Sequence, residues 1–358
     1  MKRYGPPDAL ATPRFAGIAT FLRLPLRADP AGVDVAVVGL PFDTGATFRV
    51  GARFGPRAVR EGSLALRPAY NPSQRVAVFE GLSAVDAGDA PVVPGATRPS
   101  LDAMRTALDP WQAAGVTPLG LGGDHTVLLA ELRAAAAVRG PLALLAFDAH
   151  ADAYDTCCGE RYAHGTVVRR AVEEGLIDAH RSTLMGMRGG LYGAGDYEAA
   201  RALGLTIVPW DDLAQLGTGV VAQAVEVAQG PAFLSFDIDF VDPAFAPGTG
   251  TPECGGPTSA QALALLRACR GLDIAGADVV EVLPDLDPSH ITATLAATVA
   301  YEILTLIACR PRVAGAAGAA GAAGAAGAAG AADAAGRSGV PAPGASGRTS
   351  ARGSEVAP

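Results

Sequence analysis

The chain is poor in cysteine, and its few cysteines are badly spaced for zinc or redox chemistry. Five occur among 358 residues, and none lies in a C-x-x-C pattern. Cys157 and Cys158 are adjacent, where a disulfide forms only with strain, so we expect plain thiols rather than a redox pair. Unpaired cysteines in odd number are typical of a reducing compartment, and we therefore expect a cytoplasmic protein.

The chain also lacks a surplus of basic residues and a long apolar run. The 28 Lys and Arg residues against 36 Asp and Glu give a net charge of −8, which disfavours nucleic acid or anionic membranes and fits a cationic substrate or bound metal ions. The first residues, "MKRYGPPDAL", lack the apolar core of a signal peptide, and no run of 18 apolar residues indicates a membrane span. We expect a soluble, unprocessed protein without a nucleic-acid or membrane partner.

Short apolar segments typical of buried strands alternate with helical patterns along most of the chain. The strand segments are 33–40, 82–89, 116–125, 142–150, 182–189, 205–210, 232–239 and 277–284. The clearest helical segments are 126–138, 166–177, 220–228 and 259–269. This alternation predicts an α/β fold in which helices cover both faces of an eight-stranded, mostly parallel sheet.

Composition divides the chain into three parts. We place the globular domain at 31–312 and expect residues 1–30 to form an extension packed on it. Residues 313–358 are mainly Ala-Ala-Gly repeats followed by Ser, Pro, Gly and Arg. Glycine at every third position is typical of collagen, but the repeat contains no proline, and repeated glycine weakens a helix. We expect a disordered low-complexity tail that is dispensable for the chemistry.

Histidine and carboxylate side chains collect where apolar runs end. The stretches are "GGDHT" (122–126) with His125, "FDAHAD" (147–152) with Asp148, His150 and Asp152, "SFDIDFVDP" (235–243) with Asp237 and Asp239, and "VVEVLP" (279–284) with Glu281. The carboxyl ends of parallel strands meet at one rim of a sheet, so these stretches can converge there. Residues two apart on a strand project to the same side, which can aim the side chains of one stretch together.

Four aspartates forced together repel one another and lose hydration unless cations neutralise them. A lone aspartate is usually a cap and a lone buried histidine is usually structural, but the combination of three stretches has no structural explanation. The set is rich in oxygen, includes two imidazoles and contains no thiolate, which suits Mn²⁺ best, with Fe²⁺, Co²⁺ or Zn²⁺ as alternatives. Six ligands are enough for two ions if carboxylates bridge them.

The same motifs resemble a known family. "GGDH", "DAHAD" and "SFDIDFVDPAFAPGTGTPECGG" resemble the signatures of the ureohydrolase (arginase/agmatinase) superfamily. Three further stretches, "GATFRVGARFGPRAVRE" (45–61), "VDAGD" (85–89) and "GERYAHGT" (159–166), are similar to its agmatinase branch. The resemblance implies a three-layer α/β/α fold around an eight-stranded parallel sheet, two Mn²⁺ ions per subunit, and a homotrimer or homohexamer.

The resemblance also assigns roles to the residues of these motifs. One ion would be held by His125, Asp148, Asp152 and Asp237, and the other by His150, Asp148, Asp237 and Asp239. Asp148 and Asp237 would then bridge the two ions. A hydroxide held between the ions would attack a guanidinium carbon, Glu281 would bind the guanidinium, and His164 would pass a proton to the leaving amine. The alternative for His164 is a hydrogen bond within its loop.

The resemblance implies hydrolysis of a small cationic guanidino compound to urea and an amine. Agmatine is the substrate that we expect first, giving putrescine, since the acidic balance and the whole-chain similarity fit it. Guanidino acids such as 4-guanidinobutyrate and 3-guanidinopropionate are the alternative, because the resemblance includes close relatives of agmatinase that hydrolyse them with the same metal centre. The stretches "TCCGERYAHGTVV" and "EVLPDLDP" also depart from the usual branch pattern near the substrate, which weakens the choice of agmatine. A non-catalytic scaffold is a remote alternative, since every expected ligand is present.

Overall fold

An eight-stranded sheet forms the centre of the protein. The computed structural model describes residues 3–310, so the expected tail lies outside the described residues. The strands are β1 (Val35–Leu40), β2 (Ala84–Asp89), β3 (Thr117–Gly122), β4 (Ala143–Phe147), β5 (Thr183–Met187), β6 (Thr206–Pro209), β7 (Pro231–Asp237) and β8 (Asp273–Val280). They lie in the order β2-β1-β3-β8-β7-β4-β5-β6, and all their pairings are parallel. The expected parallel sheet of eight strands is confirmed.

Helices cover both faces of this sheet. They are α1 (Gly55–Ser63), α2 (Val78–Gly81), α3 (Thr97–Ala113), α4 (Leu128–Arg139), α5 (Val167–Glu173), α6 (Asp196–Ala202), α7 (Trp210–Leu216), α8 (Thr218–Ala228), α9 (Ser259–Arg267) and α10 (Ile291–Ala308). Helices α3 to α6 contribute to one core, and the other six contribute to the second. In β1, Val35 and Val37 enter one core while Ala36 and Val38 enter the other. Because alternate residues of a strand face opposite sides, a strand buried on both faces is apolar throughout, as expected from the sequence.

Helix α10 is apolar along most of its surface, with Glu302 as its one acidic residue. Among residues 3–310 it is the one helix that is long and apolar enough to cross a membrane by length and composition. However, 78% of its 18 residues are buried inside the protein. It packs against α1, α9 and β8. A helix that is hydrophobic all round is expected in the core of a protein of this size, and α10 occupies that place.

The last strand lies earlier in the chain than expected. The sequence predicts 277–284, whereas β8 is Asp273–Val280. Val282 and Leu283 are fully buried although they follow the strand, and the Leu283 N–H donates to the Gly248 carbonyl oxygen at 2.8 Å rather than to a sheet partner. A buried loop has the same run of apolar residues as a buried strand, so the sequence pattern does not show where the strand ends.

The N-terminal residues pack on the edge of the sheet beside β2. The backbone N–H of Phe21 donates to Asp86 Oδ2 at 2.7 Å, and that of Leu22 donates to Ser63 Oγ at 2.7 Å. Phe21 and Leu22 are buried in the core that contains α1 and α10. These contacts attach the expected extension to the domain through buried apolar side chains and backbone hydrogen bonds.

Candidate metal centre

His125 lies just beyond the carboxyl end of β3, at the start of a short 3₁₀ turn. The chain reaches this turn through Gly123, where a Cβ atom would overlap the backbone carbonyl oxygen of Phe42. Asp124 caps the turn, with Oδ1 accepting a hydrogen bond from the backbone N–H two residues further on at 3.0 Å. The His125 side chain is only 1% exposed, so its ring is held in one position below the surface.

The stretch "AFDAHAD" leaves the sheet before its polar residues. Strand β4 ends at Phe147, so Asp148, His150 and Asp152 lie on the following loop rather than along one strand face. Asp152 has φ of +47°, in the left-handed region, and the loop turns back so that Asp148 Oδ1 accepts a hydrogen bond from the His150 N–H at 2.6 Å. The three side chains converge because of this loop geometry and not because of strand periodicity.

Asp237 is the last residue of β7, and Asp239 follows on a tight turn. Asp237 Oδ1 accepts a hydrogen bond from the Asp239 N–H at 2.8 Å, and Asp239 Oδ1 accepts one from the Ala149 N–H at 3.1 Å. From the end of β5, Arg188 Nη2 donates to the carbonyl oxygens of Asp239 and Glu253, each at 2.8 Å. The guanidinium therefore holds the loop after β7 against its neighbour.

Two adjoining groups of possible ligands result, which we call cluster 1 (His125, Asp148, Asp152) and cluster 2 (Asp148, His150, Asp239). In cluster 1, His125 Nδ1 is 3.0 Å from Asp148 Oδ2 and 2.9 Å from Asp152 Oδ2. In cluster 2, His150 Nδ1 is 3.0 Å from Asp239 Oδ2 and 3.6 Å from Asp148 Oδ1. Asp148 thus presents one oxygen to each cluster, which is the geometry of a bridging carboxylate.

The sixth expected ligand, Asp237, stands beside cluster 1, with Oδ2 3.6 Å from His125 Nδ1. Burial, reinforced by the charges of Asp239 and Asp148, raises the pKa of Asp237 well above its usual range. Burial also acts to raise the pKa of Asp148, but hydrogen bonds to His125 and His150 outweigh it and lower that pKa. The protein has therefore assembled carboxylates that repel one another in a dry environment, and this arrangement becomes favourable when cations are present.

The donor set fits divalent metal ions. Oxygen atoms predominate, two imidazole nitrogens contribute, and neither cluster contains a cysteine. Such a set matches ions of intermediate hardness, Mn²⁺ among them. Two clusters that share a carboxylate fit two ions side by side better than one.

The orientation of His125 is set by partners behind it. Its Nε2 lies 3.0 Å from Ser235 Oγ, and Ser235 Oγ in turn donates to Asp278 Oδ1 at 2.7 Å. Because the serine proton is directed to Asp278, Ser235 accepts the Nε2–H of His125, and Nδ1 faces the Asp148 and Asp152 carboxylates. A metal ion would replace the Nδ1 proton there and leave the Nε2–H tautomer. This tautomer suits a metal ligand, and such outer partners orient histidine ligands generally.

Glu281 and His164 form a buried pair next to the clusters. Glu281 directly follows β8 with φ of +61°, and its Oε1 accepts a hydrogen bond from the His125 N–H at 2.8 Å and lies 3.0 Å from His164 Nδ1. Its Oε2 is buried and has no hydrogen-bond partner among residues 3–310. Burial lowers the pKa of His164, but the hydrogen bond to Glu281 and the nearby carboxylates outweigh it and raise the pKa to about 9. An unpartnered buried carboxylate oxygen is ready to accept a cationic donor.

A cleft of about 520 Å³ opens over the clusters, and its wall includes Thr47, Arg49, Glu253 and both adjacent cysteines. All five cysteines are free thiols, and burial raises the pKa of Cys157 to about 11, so that thiol stays protonated at neutral pH. Asp155, three residues after Asp152, is engaged by Arg170 Nη2 at 2.7 Å and does not line this cleft.

Three residues around the site escaped sequence reasoning. Ser235 precedes Asp237 by two positions in the same strand, so the alternation of β7 could have revealed it. Asp278 lies inside an apolar strand, where a buried acid is itself a signal. Thr47 lies in the stretch 45–61 that resembles the agmatinase branch, but nothing in that stretch pairs it with His164.

Fold and site together define a three-layer α/β/α protein with a carboxylate-rich, two-cluster centre at the carboxyl end of a parallel sheet. The arginase family matches residues 33–305. A guanidinopropionase from Pseudomonas aeruginosa is 46% identical over 306 residues, covering 85% of this chain and 96% of that relative. A mitochondrial agmatinase from Gallus gallus is 41% identical over 306 residues, covering 84% of this chain and 89% of that relative.

A solved structure agrees with these relatives. Proclavaminate amidino hydrolase from Streptomyces clavuligerus superposes with a TM-score of 0.79 at 40% identity, covering 83% of this chain and 99% of that chain. The chain belongs to the arginase family, in its agmatinase-like branch. The resemblance expected from the motifs is confirmed.

Proposed function

We propose that this protein hydrolyses a guanidino compound to urea and an amine with two bound divalent metal ions. The observation that carries the proposal is the pair of buried clusters that share Asp148 at the base of a cleft. The similarity to a guanidinopropionase and an agmatinase supports the same chemistry. We propose Mn²⁺ for both ions, held by His125, Asp148, His150, Asp152, Asp237 and Asp239, since the donor atoms are mainly oxygen with two imidazoles.

Bound divalent cations supply hydrolytic power at neutral pH, because they lower the pKa of water. The protein's own groups supply orientation and protons. Glu281 Oε2, which lacks a partner among residues 3–310, accepts N–H groups of the planar guanidinium and fixes its angle to the clusters. His164, beside Glu281, carries the proton that the departing amine requires.

The wall of the cleft carries one positive residue, Arg49, and one negative residue, Glu253, which could bind the end of the substrate opposite the guanidinium. Arg49 makes no ion pair within residues 3–310 and lies over the Phe48 ring, 5.3 Å from its centroid. Glu253 Oε1 lies 3.9 Å from His150 Nε2. The amine of agmatine would pair with Glu253, whereas the carboxylate of 3-guanidinopropionate or 4-guanidinobutyrate would pair with Arg49. Both substrate classes fit the cleft, and guanidino acids are favoured because Arg49 has no ion-pair partner among residues 3–310.

A urea-release panel tests the proposal on Mn-loaded protein with agmatine, 4-guanidinobutyrate, 3-guanidinopropionate and arginine. We expect about two Mn per subunit and clear turnover of one compound. Metal-loaded, folded protein that is inert toward every guanidino compound would overturn the enzyme assignment in favour of a scaffold.

The matched variants Arg49→Gln and Glu253→Gln then identify the class. If the substrate is an acid, Arg49→Gln raises KM about tenfold or more and Glu253→Gln leaves it nearly unchanged, since a charge-assisted hydrogen bond contributes about 1.5–3 kcal/mol. If the substrate is an amine, the two effects are exchanged.

A further inference from the structure

Both ring nitrogens of His164 are occupied. Nδ1 lies 3.0 Å from Glu281 Oε1, while Nε2 lies 2.7 Å from Thr47 Oγ and accepts the Thr47 backbone N–H at 3.1 Å. Both residues line the cleft, but the His164 side chain is only 10% exposed, whereas Thr47 is an exposed residue. In this arrangement no ring nitrogen of His164 is free to meet a substrate directly.

The position of Thr47 is built into the fold rather than left to a loose loop. Asp124 Oδ2 accepts a hydrogen bond from the Gly45 N–H at 2.8 Å, and the Gly45 carbonyl oxygen accepts one from the His164 N–H at 3.1 Å. Asp124 is fully buried beside the metal-ligand turn. These two bonds tie the loop that carries Thr47 to both His164 and the end of β3, so the hydroxyl is held at hydrogen-bond distance from Nε2.

We infer that Thr47 is a catalytic residue whose hydroxyl passes the proton from His164 Nε2 to the leaving amine. The inference rests on the proposed function. A hydroxyl both donates and accepts, so it can serve as a relay, whereas a backbone N–H can only donate. The Nε2–H bond breaks as its proton joins Thr47 Oγ, and the proton already on Oγ moves to the amine nitrogen as the C–N bond breaks. His164 is left neutral, with its Nδ1–H still directed to Glu281.

The relay also explains how His164 is used in both protonation states. When His164 is neutral, Nε2 accepts the Thr47 O–H. When it is protonated, Nε2 no longer accepts the Thr47 backbone N–H; its own N–H donates to Oγ and turns the hydroxyl proton toward the cleft. The charged groups facing His164 are Glu281, Asp152 and Asp124, all acidic, and they favour the protonated ring. Exposure of Thr47 gives the ring a route for taking up a new proton from solvent.

Three variants test the relay: Thr47→Val removes the hydroxyl at nearly the same size, Thr47→Ser keeps it, and Thr47→Ala removes it with less bulk. A general acid contributes roughly 10²–10⁴-fold, so we expect Thr47→Val and Thr47→Ala to lower kcat at least about tenfold with KM and Mn content unchanged. Thr47→Ser should stay within about threefold of the native kcat. A proton inventory in H₂O–D₂O mixtures should be curved for the native protein and linear for Thr47→Val.

A second measurement does not need turnover. In NMR titrations of labelled histidine, Thr47→Val should lower the pKa of His164 by about half a pH unit or more, because Nε2–H loses its acceptor, and Thr47→Ser should not. Native kcat and an unshifted His164 in Thr47→Val would overturn the relay. Absence of urea release from native, Mn-loaded protein would count against the proposed function alone, since the NMR result would still report whether the Thr47–His164 bond exists.

Discussion

Asp237→Asn should stabilise the metal-free protein and destabilise the metal-bound protein relative to the native one. Asp237 is 2% exposed, and its pKa is raised by burial and by the charges of Asp239 and Asp148. Asparagine removes the charge but keeps an oxygen that can accept the Asp239 N–H, now bound at 2.8 Å. In metal-free protein the variant should therefore be more stable than the native protein, although it has lost a ligand.

The sign of this effect on stability follows from the raised pKa of Asp237. An acid whose pKa is higher in the folded state destabilises the fold at every pH above its unfolded value, and the penalty disappears as the pH falls below that value. As a scale, each unit of pKa difference between the folded and unfolded states is about 1.4 kcal/mol, and that free energy moves Tm by about 2–3 °C in a domain of this size. We therefore expect metal-free Asp237→Asn to unfold at a higher temperature than the native protein at pH 7.5, and the difference to vanish near pH 3–4.

Mn²⁺ should reverse the order. A ligand at a hundred times its dissociation constant stabilises a fold by about 2.7 kcal/mol, and the native protein should gain this for each ion. Asp237→Asn should gain much less, because the site has lost a carboxylate. Thermal unfolding followed by circular dichroism, first with EDTA and then with Mn²⁺, measures the Tm difference between variant and native protein in both states.

Asp242→Asn is the matched control from the same stretch. Asp242 accepts hydrogen bonds from the backbone N–H groups of Ala244, Gly255 and Gly256, and these bonds lower its pKa against a smaller effect of burial. Its replacement should lower Tm slightly and equally with and without Mn²⁺. A metal-free Asp237→Asn protein less stable than the native one at pH 7.5, or one that gains the native increment with Mn²⁺, would refute the reasoning.

Three further outcomes are expected. Ser235→Ala should weaken metal binding about 10–100-fold, because His125 Nε2 loses its hydrogen-bond acceptor. Competition with a fluorescent chelator measures the metal affinity, and an unchanged affinity would show that Ser235 does not support the site. Glu281→Gln should lower kcat/KM at least about 100-fold at full metal content, since an uncharged amide replaces the carboxylate that pairs with the guanidinium; urea release together with metal analysis separates the two effects. Activity should fall as pH rises through about 9, where His164 loses its proton, and a profile flat to pH 10 would exclude it as the acid.

The sheet and most of the candidate site were predictable because both follow from local pattern. Apolar runs marked all eight strands, and the polar residues at their ends marked the side chains that converge. The boundary of β8 was missed because Val282 and Leu283 are buried outside the sheet. The loop geometry of Asp152 was also missed, since a left-handed aspartate leaves no trace in the pattern.

Partners distant in the chain could not be predicted from pattern at all. Thr47 and His164 are separated by 117 positions and meet only after the sheet has formed. Ser235 and Asp278 meet because β7 and β8 are neighbours, a fact of strand order rather than of sequence. Residues that carry chemistry were visible from their type, whereas residues that orient them depended on the fold.

The order of strands has a consequence for how the centre is lost. The side chains of both clusters and Glu281 follow β3, β8, β7 and β4, which are the four central strands, while the edge strands β2 and β6 contribute none. Edge strands open most readily in native-state fluctuations, and central strands open only with much of the molecule. Fraying at the margins therefore leaves the six ligands in place, and the amides within these four central strands should be among the slowest to exchange with solvent. The arrangement of the six ligands is therefore lost when the whole domain unfolds, and not when the edge strands open locally.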